Sequence, residues 1–217
     1  MNSFFDKNYR TPAWLKRKLS RRTALKSALG ATTIAAMPSF VNAKAEQSAS
    51  QLAQLAKTDP WMTLEQVLAH LLPSSSTGPG AKEIRALAYF YNLVHEQPIE
   101  QAEKDFIFKG IGWLNGYSQS QVQKNFVELT NEEKETMLRA ISRSRAGENW
   151  LNTLINYLYE AMLSPSAYGG NPDGIGWQWL EHQAGFPLPP QGKRYYELPG
   201  THQTSVNNMP VEEKTKS

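Results

Sequence analysis

Trp150-Leu-Asn-Thr-Leu-Ile-Asn-Tyr-Leu-Tyr-Glu-Ala-Met-Leu163 carries apolar side chains at 150, 151, 154, 155, 158, 162 and 163. Steps of three and four are the period of an α-helix with one buried face, and no other stretch of the chain keeps that period so regularly. The helix is predicted to stop at Ser164-Pro165, since proline cannot donate to a helical ladder and disfavours helical backbone just before it. The continuation, Leu163-Ser-Pro-Ser-Ala-Tyr-Gly-Gly-Asn-Pro-Asp-Gly-Ile-Gly-Trp177, is too rich in Gly, Pro, Ser, Asn and Asp to extend the helix. Tyr168, Trp177 and Trp179 flank its small residues. A long loop in a compact domain is usually functional or disordered, and aromatic anchors at both ends argue against disorder. Two readings stand at this point: a cap closing one end of a helical bundle, and a surface that docks a partner.

Helical spacing extends upstream. Thr63-Leu-Glu-Gln66 is read as a capping box opening a helix that Pro73 ends, and Ile84, Leu87, Ala88, Tyr91 and Val94 mark the apolar face of a second helix. Ile99, Ala102, Phe106, Ile107, Ile111 and Leu114 mark a third, in which Gly110, Gly112 and Gly116 would let a neighbour approach. A short helix over Tyr117–Val127 follows, then a second capping box, Thr130-Asn-Glu-Glu133, opening a helix with Met137, Leu138 and Ile141 inward. No alternating strand pattern occurs. The expected fold is all-α, a single bundle of five to six helices with a long Gly/aromatic C-terminal loop segment. Beyond it, Trp179-Leu180 makes one turn and Gly185-Phe-Pro-Leu-Pro-Pro190 lies extended over the bundle.

Charge divides the chain unevenly. Residues 1–43 hold eight Lys or Arg against one Asp, whereas the remainder holds fifteen basic and nineteen acidic residues. The basic character therefore belongs to the first segment, and nucleic acid is not a partner expected of the rest. Ser20-Arg-Arg-Thr-Ala-Leu-Lys26, the mildly apolar run from Ala28 to Met37, and Val41-Asn-Ala43 have the order of a signal peptide whose paired Arg21 and Arg22 resemble the twin-arginine export motif. Its apolar run is too short to span a bilayer, which takes about 20 apolar residues. The expected organisation is a leader over 1–43, a linker over 44–60, a helical domain over 61–200 and a disordered tail over 201–217. Expected destinations are the twin-arginine translocase during export and the periplasm afterwards.

Chemistry is sparse. The absence of cysteine excludes disulfides, thiol catalysis and thiolate-held metal or iron–sulfur centres. None of His70, His95, His182 and His202 stands at a recognised metal-ligand spacing from another His or a carboxylate, and no nucleophile elbow, P-loop or dinucleotide fingerprint is present. His182, beside Glu181 and near Asp173, is the best candidate acid or base, which leaves a free-standing periplasmic enzyme as the alternative reading. His70 or His95 as haem ligands form a third. No catalytic, cofactor-binding or metal-binding residue is assigned.

Leu71-Leu-Pro73, the Gly78-Pro-Gly-Ala81 loop, Pro165-x-x-Tyr168-Gly-Gly-Asn171, Gly176-Trp177 and Gly185-Phe-Pro187, in that order, resemble the gluconate 2-dehydrogenase subunit 3 family over roughly Trp61 to Pro190. The segment Gln178-Trp-Leu-Glu-His-Gln183 departs from the family's pattern. The resemblance implies a cofactor-free small subunit in a membrane-associated periplasmic complex. In such complexes a large flavoprotein of the glucose-methanol-choline type carries FAD and oxidises a sugar or sugar acid, and a multihaem cytochrome c subunit passes electrons to the quinone pool. The small subunit's twin-arginine signal exports the flavoprotein with it. On this reading Tyr168, Gly169, Gly170, Asn171, Trp177, Trp179 and Phe186 form the partner-binding set, because aromatic side chains anchor interfaces.

Overall fold

The computed structural model describes residues 3–19, 50–185 and 188–198. Arg21 and Arg22, the cleavage pattern at Ala43, Phe186, His202 and the tail over 201–217 lie outside the described residues. The helices in chain order are α1 (Ala13–Leu19), α2 (seen over 50–55), α3 (Trp61–Leu71), α4 (Ala86–His95), α5 (Gln101–Val122), α6 (Asn131–Ser142), α7 (Arg145–Leu163) and α8 (Ile175–Trp179). The described residues contain no strand, so the fold is all-α. The five helices from α3 to α7 form the all-α bundle expected from the sequence, whereas α8 occupies Ile175–Trp177 of the stretch expected to be loop.

Helix α7 is the element around which the others pack, and it touches α3, α4, α5, α6 and α8. It starts two residues after α6 because Ser144 caps it, accepting from the Gly147 N–H at 3.0 Å. Trp150, Leu151, Leu154, Leu158 and Met162 are buried as the stripe predicts, joined by Tyr157 and Ala161. Leu163, the last residue of the stripe, is instead exposed. Trp150 lies fully buried against α5, its indole N–H donating to the Ile107 carbonyl at 3.0 Å. Only a glycine fits opposite: a Cβ on Gly110 would stand 2.0 Å from the Trp150 Nε1. Gly112 and Gly116 have nothing within 4 Å and serve no close approach.

Three boundaries differ from the sequence expectation. Helix α3 begins at Trp61, so Thr63 is inside it; the acceptor for the Thr63 N–H is Asp59 Oδ1, 3.1 Å away, which replaces the capping box. Helix α5 runs without a break to Val122, absorbing most of the short helix expected from Tyr117, and ends where Gln123 turns left-handed at φ 58° and the Ser118 hydroxyl donates to the Lys124 carbonyl. On α4 the buried side is Tyr89, Phe90 and Leu93, with Tyr91 also covered, because left-handed Arg85 resets the helix after Ile84. Leu87 and Ala88, read as core, are only partly buried and line an open cleft, at whose floor the buried Tyr91 lies. The capping box at Thr130 is present as expected.

The two described end segments fold onto the bundle. Phe4, Trp14 and Leu15, in the stretch assigned to the leader, are buried in the core, and α1 lies on α5. At the other end, Arg194 and Tyr196 are buried against α4, with the Tyr196 hydroxyl donating to Asn92 Oδ1 at 2.8 Å.

Candidate functional site at the end of the central helix

The segment after α7 has no long regular element, yet its own hydrogen bonds fix it. Helical turns at Ser166–Tyr168 and Pro172–Gly174 lead into α8. Asn171 sits at their junction, completely buried and left-handed at φ 50°, a conformation Asn tolerates better than most residues. Its N–H donates to the Ile84 carbonyl at 2.9 Å, its Nδ2 donates to the Ser164 carbonyl at 3.1 Å, and its Oδ1 accepts from the Gly176 N–H at 2.8 Å. One side chain thus joins the end of α7, the approach to α4 and the start of α8. Gly169, at φ 96°, and Gly170 occupy places where any Cβ would press on backbone, 2.8 Å from the Ala88 carbonyl oxygen and 2.5 Å from that of Ala161.

The aromatics of the segment divide between two jobs. Tyr168 is half-buried; its hydroxyl accepts from the Tyr195 N–H at 3.1 Å, and its ring lies beside Tyr195 and Tyr196. The Trp177 indole donates to the Leu163 carbonyl at 2.8 Å, satisfying one of the orphan acceptors at the end of α7. The Trp179 indole donates to the Thr77 carbonyl at 2.5 Å and lies on Gly78, where a Cβ would meet it at 2.4 Å. Even so, Trp179 remains 42% exposed. Leu163, Leu180 and Tyr159 are exposed at the same end, Tyr159 and Leu163 being one turn apart on α7.

Of the sequence-predicted set, the structure therefore brings Tyr168, Gly169, Gly170, Asn171, Trp177 and Trp179 together. Gly170 and Asn171 face inward, and Trp179 is the most exposed of the aromatics among them. Exposed Leu163, Leu180 and Tyr159 stand outside that set. Their signal was weak, since an apolar residue at a helix end reads as core until the neighbouring helices are placed.

The histidines do not converge. His70 Nε2 is 2.7 Å from Glu135 Oε2, and that contact, aided by Arg139, holds the Glu135 carboxyl below its ordinary range. His95 stacks on Tyr91 at 4.2 Å and also lies beside Trp61, with Nδ1 at 2.9 Å from the Tyr91 carbonyl. His182 is exposed; its backbone N–H is bonded to the Trp177 carbonyl at 2.8 Å, and neither Glu181 nor Asp173 is bonded to its ring among the described residues. Just before the loop, the Tyr89 hydroxyl donates to Glu160 Oε2 at 2.9 Å, tying α4 to α7, and Tyr157 donates to buried Glu103. Burial, reinforced by these carboxylates, raises both phenols well above their ordinary range.

Between α3, α4, the turn at 166–169 and Arg194 lies an open cleft of about 870 Å³ with an apolar floor of Leu68, Ala81, Ala86 and Tyr91. Arg194 closes one side, paired with Glu197 at 2.6 Å and Glu96 at 3.6 Å. Among the described residues no group of three or more His, Asp or Glu side chains could hold a metal ion, and no helix is long and apolar enough to cross a membrane.

These features define an all-α protein whose loop after the central helix is a rigid, aromatic-edged plug. The gluconate 2-dehydrogenase subunit 3 family model matches residues 58–185, and the chain belongs to that family. The matched stretch runs from just before α3 to just beyond α8 and takes in the whole plug. No curated protein and no solved structure matches the chain.

Proposed function

We propose that this chain is a cofactor-free accessory subunit that binds, stabilises and co-exports the flavoprotein large subunit of a periplasmic dehydrogenase complex. The family is that of a gluconate 2-dehydrogenase subunit, which is in keeping with an accessory role in a multisubunit enzyme. The supporting observation is the plug itself. Trp179 is pinned at its indole nitrogen yet 42% exposed, and exposed Leu163, Leu180 and Tyr159 share its end of the bundle. Apolar and aromatic side chains held on a rigid scaffold are what an interface anchor needs, because little side-chain freedom remains to be lost on binding. On this reading FAD belongs to the partner, of the glucose-methanol-choline type, and haem c to a third, cytochrome subunit. Arg21 and Arg22 address the complex to the twin-arginine translocase, and the complex, not this chain, associates with the inner membrane.

The test is co-purification from the native host. Trp179→Ala and Leu180→Ala are expected to weaken capture of a flavin-bearing subunit at least tenfold while the helical circular dichroism is unchanged. Full-strength capture by both variants, or a colourless monomer from the unaltered chain under gentle extraction, would overturn the reading. Replacing Arg21 and Arg22 by Lys is expected to leave both proteins in the cytoplasm.

A further inference from the structure

The cleft between α3, α4, the turn at 166–169 and Arg194 shares none of the exposed plug residues Tyr159, Leu163, Trp179 and Leu180, and its shape is that of a small-molecule site. Its volume of about 870 Å³ lies within the roughly 300–1,000 Å³ of pockets that enclose such ligands. Helix α4 runs along it from Arg85, just before the helix, to Glu96, just after it, a span of about 16 Å at the helical rise. Between those ends the lining is apolar: Leu87, Ala88 and Tyr91 on α4, Leu68 on α3, and Leu52 and Ala53 on α2.

The charged groups of the lining stand at its two ends and differ in balance. At the Glu96 end, Arg194 is buried and its charge is met by Glu96 and Glu197. At the other end Lys82 and Arg85 are exposed, and neither side chain enters an ion pair or a hydrogen bond among the described residues. Their acidic neighbour Glu83 is engaged instead by the Ser74 hydroxyl, at 2.7 and 2.8 Å, and by the Gly80 N–H at 3.0 Å. Glu65, on α3, is the remaining acid of the lining. Arg85 is also left-handed at φ 53°, a backbone that Gly or Asn adopts at lower cost. Local geometry therefore supplies no reason for a long basic side chain at that place. One end of the cleft is neutralised, and the other has two cations to one acid beside an apolar channel.

We propose that the cleft binds a single-chain amphiphile, with its alkyl chain along α4 and its anionic head, a carboxylate or a phosphate monoester, between Lys82 and Arg85. Burial of the chain drives the binding, in proportion to the apolar area covered, and the head fixes which way round the chain lies. Exposed cations add little affinity by themselves, but beside an apolar channel they discriminate between heads of opposite charge. The turn at 166–169 is one wall of the cleft, so a bound ligand holds that turn to α3 and α4 and raises the melting temperature by mass action.

The experiment titrates the purified full chain with dodecanoate, dodecyl phosphate and dodecyltrimethylammonium, each below its micellar concentration, by isothermal titration calorimetry. One equivalent of an anionic probe is expected to bind about tenfold more tightly than the cation or better, with a negative heat-capacity change and a raised melting temperature. Whichever anion binds more tightly tells a carboxylate ligand from a phosphate one. Lys82→Gln combined with Arg85→Gln is expected to abolish the preference for anions, and Ala88→Phe is expected to fill the cleft and abolish binding. Ala53→Trp, on the exposed wall of α2, fills it from the other side should circular dichroism show Ala88→Phe unfolded. Equal affinity for anion and cation, a preference that survives the paired Lys82 and Arg85 substitutions, undiminished binding by the filled variants, or no binding of any probe would overturn the proposal. None of these outcomes bears on the accessory-subunit reading, which the Trp179 and Leu180 variants test.

Discussion

Asn171→Ala tests whether the core of the plug serves the fold or the partner. The substitution removes two hydrogen bonds at a site with no exposure, leaving the Gly176 N–H without its acceptor and the Ser164 carbonyl without this donor. A buried polar group stripped of a partner costs about 1–3 kcal/mol. Alanine at φ 50° adds about 1 kcal/mol, since its Cβ crowds the left-handed conformation. With two such groups the expected loss is about 3–7 kcal/mol, a large share of the roughly 5–15 kcal/mol that holds a domain together. For a domain of this size each kcal/mol lowers the melting temperature by about 2–4 °C, so the drop is on the order of 6–28 °C. Urea unfolding followed by far-ultraviolet circular dichroism at 25 °C reads the free energy directly, provided the transition is two-state. A loss below about 1 kcal/mol would refute the reasoning, since Asn171 would then not be the joint on which α7, α8 and the approach to α4 depend.

Gly110→Ala is expected to destabilise despite the better helix propensity of alanine. Displacing Trp150 costs about 1–3 kcal/mol in overpacking and about 1–3 kcal/mol for its indole bond, against a gain of about 1 kcal/mol; urea midpoints that rise instead would contradict this. The carboxyl of Glu197 is pushed up by burial, but hydrogen bonds from the guanidinium and backbone of Arg194 outweigh that and hold its pKa below the ordinary 4.5. Its contribution is thus complete above that value and lost as pH falls through the lower folded one. Amide hydrogen exchange over residues 191–198 is expected to accelerate beyond its intrinsic trend as pH falls below the ordinary carboxylate value, and Glu197→Gln is expected to remove the pH dependence; identical profiles would refute it.

What was legible in the sequence was whatever one helix could announce alone. The stripe from Trp150 to Met162 has a period that needs no partner to interpret, and Thr130 with Glu133 forms a cap from local chemistry. Gly169, Gly170 and Asn171 were legible as a break in helical structure but not as to which way they face. The same residues that suit a docking loop are needed where backbone meets the Ala88 and Ala161 carbonyls. The face of α4 was read correctly at Tyr91 but not at Leu87 and Ala88, which keep helical spacing, and only the placement of α3 and Arg194 shows that they line a cleft. Phe4 and Trp14 were absorbed into a basic leader because net charge over 43 residues hides two aromatic contacts. Those contacts reach residues about a hundred positions further on, a distance at which no local pattern carries information.

Trp179 closing over Gly78 and Tyr196 bonding to Asn92 join positions about a hundred residues apart in the chain. Domains assemble from the N-terminus as they emerge from the ribosome, but the side of this bundle formed by the loop over 74–80 and α4 waits for residues 179–196 before its contacts are complete. The plug is thus complete only once residues 179–196 have been made. A release of the chain short of Tyr196 leaves that side open, so truncated products are exposed to proteolysis.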